Sequence, residues 1–397
     1  MLRGSLALSF SLLLGCSSNN FVDTDGGDGG GNSDGGDGSI GVIEGGGNND
    51  GGDAAPPPPP VRRLFVANNG AVSNDGLLVW DDADKLAGDR APDVVVAAIN
   101  TPLTAMALVK DRLFVASTPP ANRLYGFDGA GMLGAAAVPA FTITPGAISD
   151  IHWSSKDDLL FLGDRTTNNG AGVRMFANAQ QMKSTDTAKA TFGGNGLPTT
   201  GLYHDPVKDR IYMAVPQQVV IKYSESASTT TGASVSIADF ASIPAVNAWT
   251  SDGTRLYAGG TTLQGETAIF IYNIAGLHPG SAPDVVIKNG LPAAGGNVFG
   301  MYVAENMLFV GFASGSTQAT LLFTNALSLS PQSTGTALPL SGACTGMRYS
   351  TKTDRLYCAD YVGSAVNVWS NVKTTPVRAA QLKTKVANPF AVELWEN

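Results

Sequence analysis

Arg63-Leu64-Phe65-Val66-Ala67 returns as Arg112-Leu113-Phe114-Val115-Ala116, Leu159-Leu160-Phe161-Leu162-Gly163, Arg210-Ile211-Tyr212-Met213-Ala214, Arg255-Leu256-Tyr257-Ala258-Gly259, Met307-Leu308-Phe309-Val310-Gly311 and Arg355-Leu356-Tyr357-Cys358-Ala359. Short runs of aromatic and branched residues bounded by turn formers read as strands. At the central aromatic the copies are 49, 47, 51, 45, 52 and 48 residues apart. A period near 50 built from short strands predicts propeller blades and not a solenoid.

Working outward, a second phrase ends in an aromatic 11 to 15 residues later, at Trp80, Phe127, Phe176, Tyr223, Tyr272, Phe323 and Trp369. Such rings are large enough to fill the wedge between neighbouring blades. A third strand is clearest in Ala91-Pro92-Asp93-Val94-Val95-Val96 and Ala282-Pro283-Asp284-Val285-Val286-Ile287, where Pro at the start marks an outer edge. The fourth strand precedes the first phrase: Thr104-Ala105-Met106, Ser149-Asp150-Ile151, Thr200-Gly201-Leu202, Asn247-Ala248-Trp249, Phe299-Gly300-Met301 and Thr345-Gly346-Met347. The first unit lacks this piece, because only prolines stand before Val61. Phe390-Ala391-Val392 fits the same column at the other end of the chain. The pattern therefore predicts an all-β, seven-bladed propeller with four-stranded blades over residues 61–397, blade 1 being closed by the C-terminal strand so that no edge is left exposed.

The innermost column reads Ala105, Asp150, Gly201, Ala248, Gly300, Gly346 and Ala391, small residues where strands crowd toward an axis, with Asp150 as the exception. His152 lies two positions on, on the same side of the strand. Its own column contains Tyr203, Tyr302, Arg348 and Glu393. Asp150, His152, Tyr203, Tyr302, Arg348 and Glu393 form a candidate channel-mouth site able to bind a ligand or act as acid and base. The same residues also suit interblade packing, with Arg348 and Glu393 paired across the closure and Asp150 bonded to backbone amides. Asn68, Asp164 and Asp360 end the first-phrase strands and offer oxygen ligands for calcium, or serve as turn residues. Cys344 and Cys358 fall nearly opposite on a blade 7 hairpin, so a disulfide is expected. A nucleophile elbow, a zinc-protease helix, a phosphate loop and a dinucleotide fingerprint are all missing, and the chain has 3 His, too few for a multi-histidine metal centre.

Charge is unevenly placed. Residues 17–60 hold eight of the 33 acids and no base, leaving 25 acids against 24 bases (25 less Arg3) from residue 61 onward. A near-neutral domain has no basic stripe for nucleic acid, so that partner class is excluded. Fourteen glycines, those acids and Pro56–Pro60 cannot repay the entropy of ordering, so this stretch is expected to be a disordered tether. Before it, Arg3 and the apolar run Leu6–Leu14 read as a signal peptide over residues 1–15, too short to span a bilayer.

Leu13-Leu14-Gly15-Cys16 resembles the bacterial lipobox, which implies a lipidated Cys16, and Ser17 after it implies an outer-membrane destination on the periplasmic or cell-surface side. Arg63–Asn68 and Arg355–Asp360, each followed by a strand ending Val-Trp, resemble the YVTN and lactonase-like group of bacterial seven-bladed propellers. That group includes lactone-cleaving enzymes and surface proteins, and no catalytic set of the former is carried over to this chain. The reading preferred from sequence is a membrane-tethered monomer that binds or scaffolds a protein or glycan, without a cofactor. The alternative is an exported lactonase-like hydrolase with its site near Asp150 and His152.

Overall fold

A computed structural model describes residues 62–396, save 71–74, 165–171, 193–198, 200, 216–219, 225–234, 238–244, 263, 279 and 293–294. The signal segment, Cys16 and the tether lie outside the described residues. The chain is an all-β propeller of four-stranded antiparallel blades, and the described strands make seven such sheets. The innermost strands, in order from sheet 1, are Pro389–Glu396, Leu103–Val109, Ile148–Ser154, Gly201–Asp205, Ala245–Ser251, Gly296–Ala304 and Cys344–Ser350. Each neighbours the next, and Cys344–Ser350 neighbours Pro389–Glu396. Among the described residues no helix is long and apolar enough to cross a membrane.

Sheet 1 is assembled from both ends of the described residues. Pro389–Glu396 pairs antiparallel with Arg62–Asn68, placing Arg62 opposite Glu396 and Phe65 opposite Glu393. The repeated phrase is apolar at successive positions because both faces of its strand are covered. Phe65 and Ala67 pack with Met106, Leu113 and Val115 of sheet 2, whereas Leu64 and Val66 pack with Tyr357, Val366 and Val368 of sheet 7. Burying a Leu or Phe side chain in this way contributes about 1.5–3 kcal/mol. Trp80, Phe127, Phe176, Tyr272, Phe323 and Trp369, the aromatics that close the second phrase, are likewise buried.

One residue bulges out of register near the start of most innermost strands. The pairing slips between Leu103 and Ala105, Ile148 and Asp150, Val246 and Ala248, Val298 and Gly300, and Cys344 and Gly346. An extra residue tightens the local twist and re-aims the side chain it carries. The bulged Thr104 hydroxyl donates to Ile148 O of the next sheet at 2.9 Å, Ser149 donates to Thr199 O, and Thr345 donates to Phe390 O at 3.1 Å. Small residues follow the bulge because strands converge there: a Cβ on Gly346 would lie 2.8 Å from Ala391 Cα.

The arginine that opens the phrase acts at the opposite end of sheets 1, 2, 5 and 7. Arg63 donates to Ala130 O and Leu133 O, Arg112 to Ala179 O and Met182 O, and Arg355 to Leu86 O at 3.1 Å. Those carbonyls belong to short 3-10 turns of the following sheet, Ala83–Lys85, Ala130–Met132 and Ala179–Gln181, and to the residues just after them. Turn-end carbonyls keep a lone pair free beyond any bond within the turn, and a forked guanidinium can take two such carbonyls at once. Arg255 likewise reaches Ala326 O. Leu159 and Met307 hold the equivalent place in sheets 3 and 6, so the seams from 3 to 4 and from 6 to 7 lack this clasp.

Candidate functional site

The six residues expected at a channel mouth are all buried, from 0% exposure for Asp150 to 6% for Tyr302 and Arg348. They fall into two groups on different seams, within reach of each other's charge: the Asp150 carboxyl feels both Arg348 and Glu393.

On the seam between sheets 7 and 1, Arg348 grips Glu393 in a two-pronged pair, with Nε 2.8 Å from Oε2 and Nη2 on Oε1. Arg348 Nη1 also donates to Met347 O at 2.8 Å, and the guanidinium carbon lies 5.6 Å from the Tyr302 ring centre. Burial raises the Glu393 carboxyl, and the guanidinium beside it pulls it back toward the ionised form. Bidentate geometry is what makes a dry ion pair tolerable, since each charge loses several kcal/mol of hydration.

On the seam between sheets 3 and 4, Asp150 Oδ1 accepts from Ile151 N at 2.9 Å and Oδ2 accepts from Leu202 N at 2.8 Å. Burial lifts its pKa well above the ordinary carboxylate range, against the pull of those two amides and of Arg348. His152 Nε2 accepts from His204 N at 3.2 Å, which leaves the proton of its neutral ring on Nδ1. Tyr203 stands edge-on to His152 at 5.7 Å. Side chains of one innermost strand thus satisfy the open backbone edge of the next.

The same seam holds a chain of groups that the sequence did not reveal. His204 Nδ1 lies 2.8 Å from Ser154 Oγ, and Nε2 lies 3.1 Å from Asp209 Oδ1. Serine, imidazole and carboxylate in that order are the members of a nucleophilic triad. Ser154 is buried between the sheets, and this chain of side-chain bonds stitches sheet 3 to sheet 4. Burial lowers the His204 pKa, opposed by Asp209. Period-2 alternation from Asp150 through His152 to Ser154 was the available signal.

Asn68, Asp164 and Asp360 stand on sheets 1, 3 and 7, and the fold does not bring them together. Among the described residues no three His, Cys, Asp or Glu side chains are grouped to hold a metal ion. The Asn68 amide donates to Asp75 O and Lys385 O and accepts from Ala387 N. Asp164 pairs with Arg174 at 2.9 Å. Asp360 accepts from Gly363 N at 2.9 Å and from Asn367 Nδ2 at 3.3 Å. Each is held by protein partners: backbone groups at Asn68, a guanidinium at Asp164, and a backbone amide with a side-chain amide at Asp360. Cys344 and Cys358 are joined by a disulfide, their Cα atoms 5.4 Å apart.

No known family profile and no curated protein sequence matches the chain. Solved structures do. A proposed 6-phosphogluconolactonase of Bacteroides uniformis matches with a TM-score of 0.62 at 11% identity, over 84% of this chain and 99% of that one. A proposed 6-phosphogluconolactonase of Bacteroides fragilis gives 0.61 at 11% identity, over 84% and 98%. The periplasmic gluconolactonase of Pseudomonas aeruginosa gives 0.61 at 13%, over 84% and 98%. The fold is that of a lactonase-like propeller.

Proposed function

We propose that this chain is a lactonase-like hydrolase that opens a lactone ring at the axis of a closed seven-bladed propeller. The observation that carries the proposal is the axial cluster. An ion pair with a second carboxyl in its field is costly to bury. The positions equivalent to Asp150 in the other innermost strands are all Gly or Ala. Likeness in fold to propellers named as lactonases supports the same reading, although a fold alone assigns no chemistry. In ring opening, water adds to the carbonyl carbon, the ring C–O bond breaks, and the proton released by water passes to the leaving oxygen. Arg348 is the group suited to the oxyanion, and Asp150 the group suited to holding the proton.

The test is acid release from glucono-δ-lactone and 6-phosphogluconolactone at a pH where spontaneous opening is slow. Acceleration by the full chain, reduced at least tenfold in Asp150→Asn with melting retained, is the expected result. Opening at the buffer rate would remove the proposal. A second reading, the tethered binding or scaffolding module, is favoured by one observation: both Asp150 oxygens and His152 Nε2 already accept backbone amides. We also propose that the chain is exported and monomeric, with residues 1–15 as signal peptide, Cys16 lipidated at the outer membrane and residues 17–60 as tether. Loss of membrane association in Cys16→Ser would be the corresponding measurement.

A further inference from the structure

An open cleft of about 560 Å³ lies on the outer wall where sheet 2 meets sheet 3, away from the axial cluster. That volume lies in the range of small-molecule sites. We propose that it is a binding site for an uncharged, hydroxyl-rich ring of pyranose size. Its walls are Thr142 and Pro145 of sheet 2, and Arg174, Ser184, Asp186 and Thr187 of sheet 3.

Three features define the ligand. First, the guanidinium is positioned before anything binds. Arg174 Nη2 is 2.9 Å from Asp164 Oδ2, and Asp164 is 3% exposed. Arg174 also passes over Gly146, where an added Cβ would sit 2.9 Å from Nη1 and where φ is +115°, so a side chain there would displace the fork. Second, the two walls are fixed to each other. Thr142 N donates to Ser184 Oγ at 3.2 Å across the seam, and Asp186 Oδ2 accepts from Lys183 N at 2.8 Å within its loop. Third, the site carries no net positive charge. Asp164 neutralises Arg174 from behind, and the Asp186 carboxylate repels phosphate or carboxylate groups. What remains is a guanidinium fork suited to adjacent hydroxyls, alcohols from Thr142, Ser184 and Thr187, a carboxylate acceptor, and Pro145 for the apolar face of a ring.

This inference does not rest on the hydrolase reading, since none of these residues belongs to the axial cluster. The experiment titrates the full chain with methyl α-D-glucopyranoside, and separately with glucose 6-phosphate and glucuronate, followed by saturation-transfer NMR. A ligand of about a dozen heavy atoms in such a site is expected to bind with a dissociation constant of about 1 mM, and its charged counterparts at least tenfold more weakly. Thr187→Trp, at an exposed position, fills the cleft and should abolish binding with melting unchanged. No saturable binding of the neutral ring, tighter binding of either anion, or unaltered binding by Thr187→Trp would each overturn the inference.

Discussion

The seam from sheet 7 to sheet 1 and the seam from sheet 3 to sheet 4 solve one problem in two ways. Both must hold converging innermost strands together. The first is fastened throughout. It has the Arg355 clasp on Leu86 O, the Thr345 hydroxyl on Phe390 O, the Arg348–Glu393 pair, and Arg62 and Ser350 sharing Glu396. The second has Leu159 where the clasp would be, and depends on Asp150 and His152 bonded to backbone amides and on the Ser154–His204–Asp209 side-chain relay. The difference follows from chain connectivity. Sheets 3 and 4 follow one another along the chain, whereas sheet 1 must be joined by a strand that arrives more than 300 residues later, and closing so long a loop costs entropy that only strong contacts offset.

The largest expected effect tests this directly. Deletion of 388–397 removes the strand paired with Arg62–Asn68 and should abolish cooperative melting, whereas a shortened chain melting near the full-length temperature would break the comparison. Next, Arg348→Met should lower stability by about 3–5 kcal/mol in denaturant titration, because Glu393 is left as a buried, unpaired charge. Adding Glu393→Met should restore most of it; a double variant as weak as the single would show that the pair does more than cancel charge. Third, replacing Cys344 and Cys358 by Ser should cost about 3 kcal/mol, as expected for a bridge spanning 14 residues. That bridge braces the bulge whose Thr345 reaches sheet 1, so the loss belongs to the closure side.

The smallest effect is on the other seam and depends on pH. Burial places the folded pKa of His204 below its ordinary 6.5. The unfolded chain then binds the proton more readily, so the contribution of His204 is complete above about pH 6.5 and lost as pH falls below it. Melting temperature in the native chain should therefore fall between pH 7 and pH 5 more steeply than in His204→Gln. Equal slopes would place the pH response elsewhere.

Much of the architecture was legible because it repeats. The spacing of Phe65, Phe114 and their counterparts sets the sheets, and the prolines before Val61 show which strand is missing. The Arg348–Glu393 pair was also readable, since two opposite charges in adjacent columns have few other partners. The clasp was not, although its arginines stood in plain view at 63, 112 and 355. Its acceptors are carbonyls of 3-10 turns, entered through left-handed residues as different as Asp82, Gly129 and Asn178, and a carbonyl leaves no letter in a sequence. The Ser154–His204–Asp209 chain was missed for a related reason: it joins two strands whose register across the seam no single strand pattern states. The rim residues could be read from sequence either as calcium ligands or as turn residues. Asn68, Asp164 and Asp360 share a column, but a column in a ring spreads its members around a circumference instead of gathering them.

Each clasp reaches forward, from an arginine in one sheet to a turn in the sheet that is made after it, and the last arginine reaches the first turn. A chain emerging end-first from a ribosome or a translocation pore therefore leaves sheets 1, 2 and 5 without their clasps until the next sheet is made. The earliest one waits longest, carrying a bare hydrogen-bonding edge until the final residues are free. Such a molecule is most vulnerable to wrong partners just before it is complete, and an extension added past Asn397 would prolong that interval rather than merely decorate the surface.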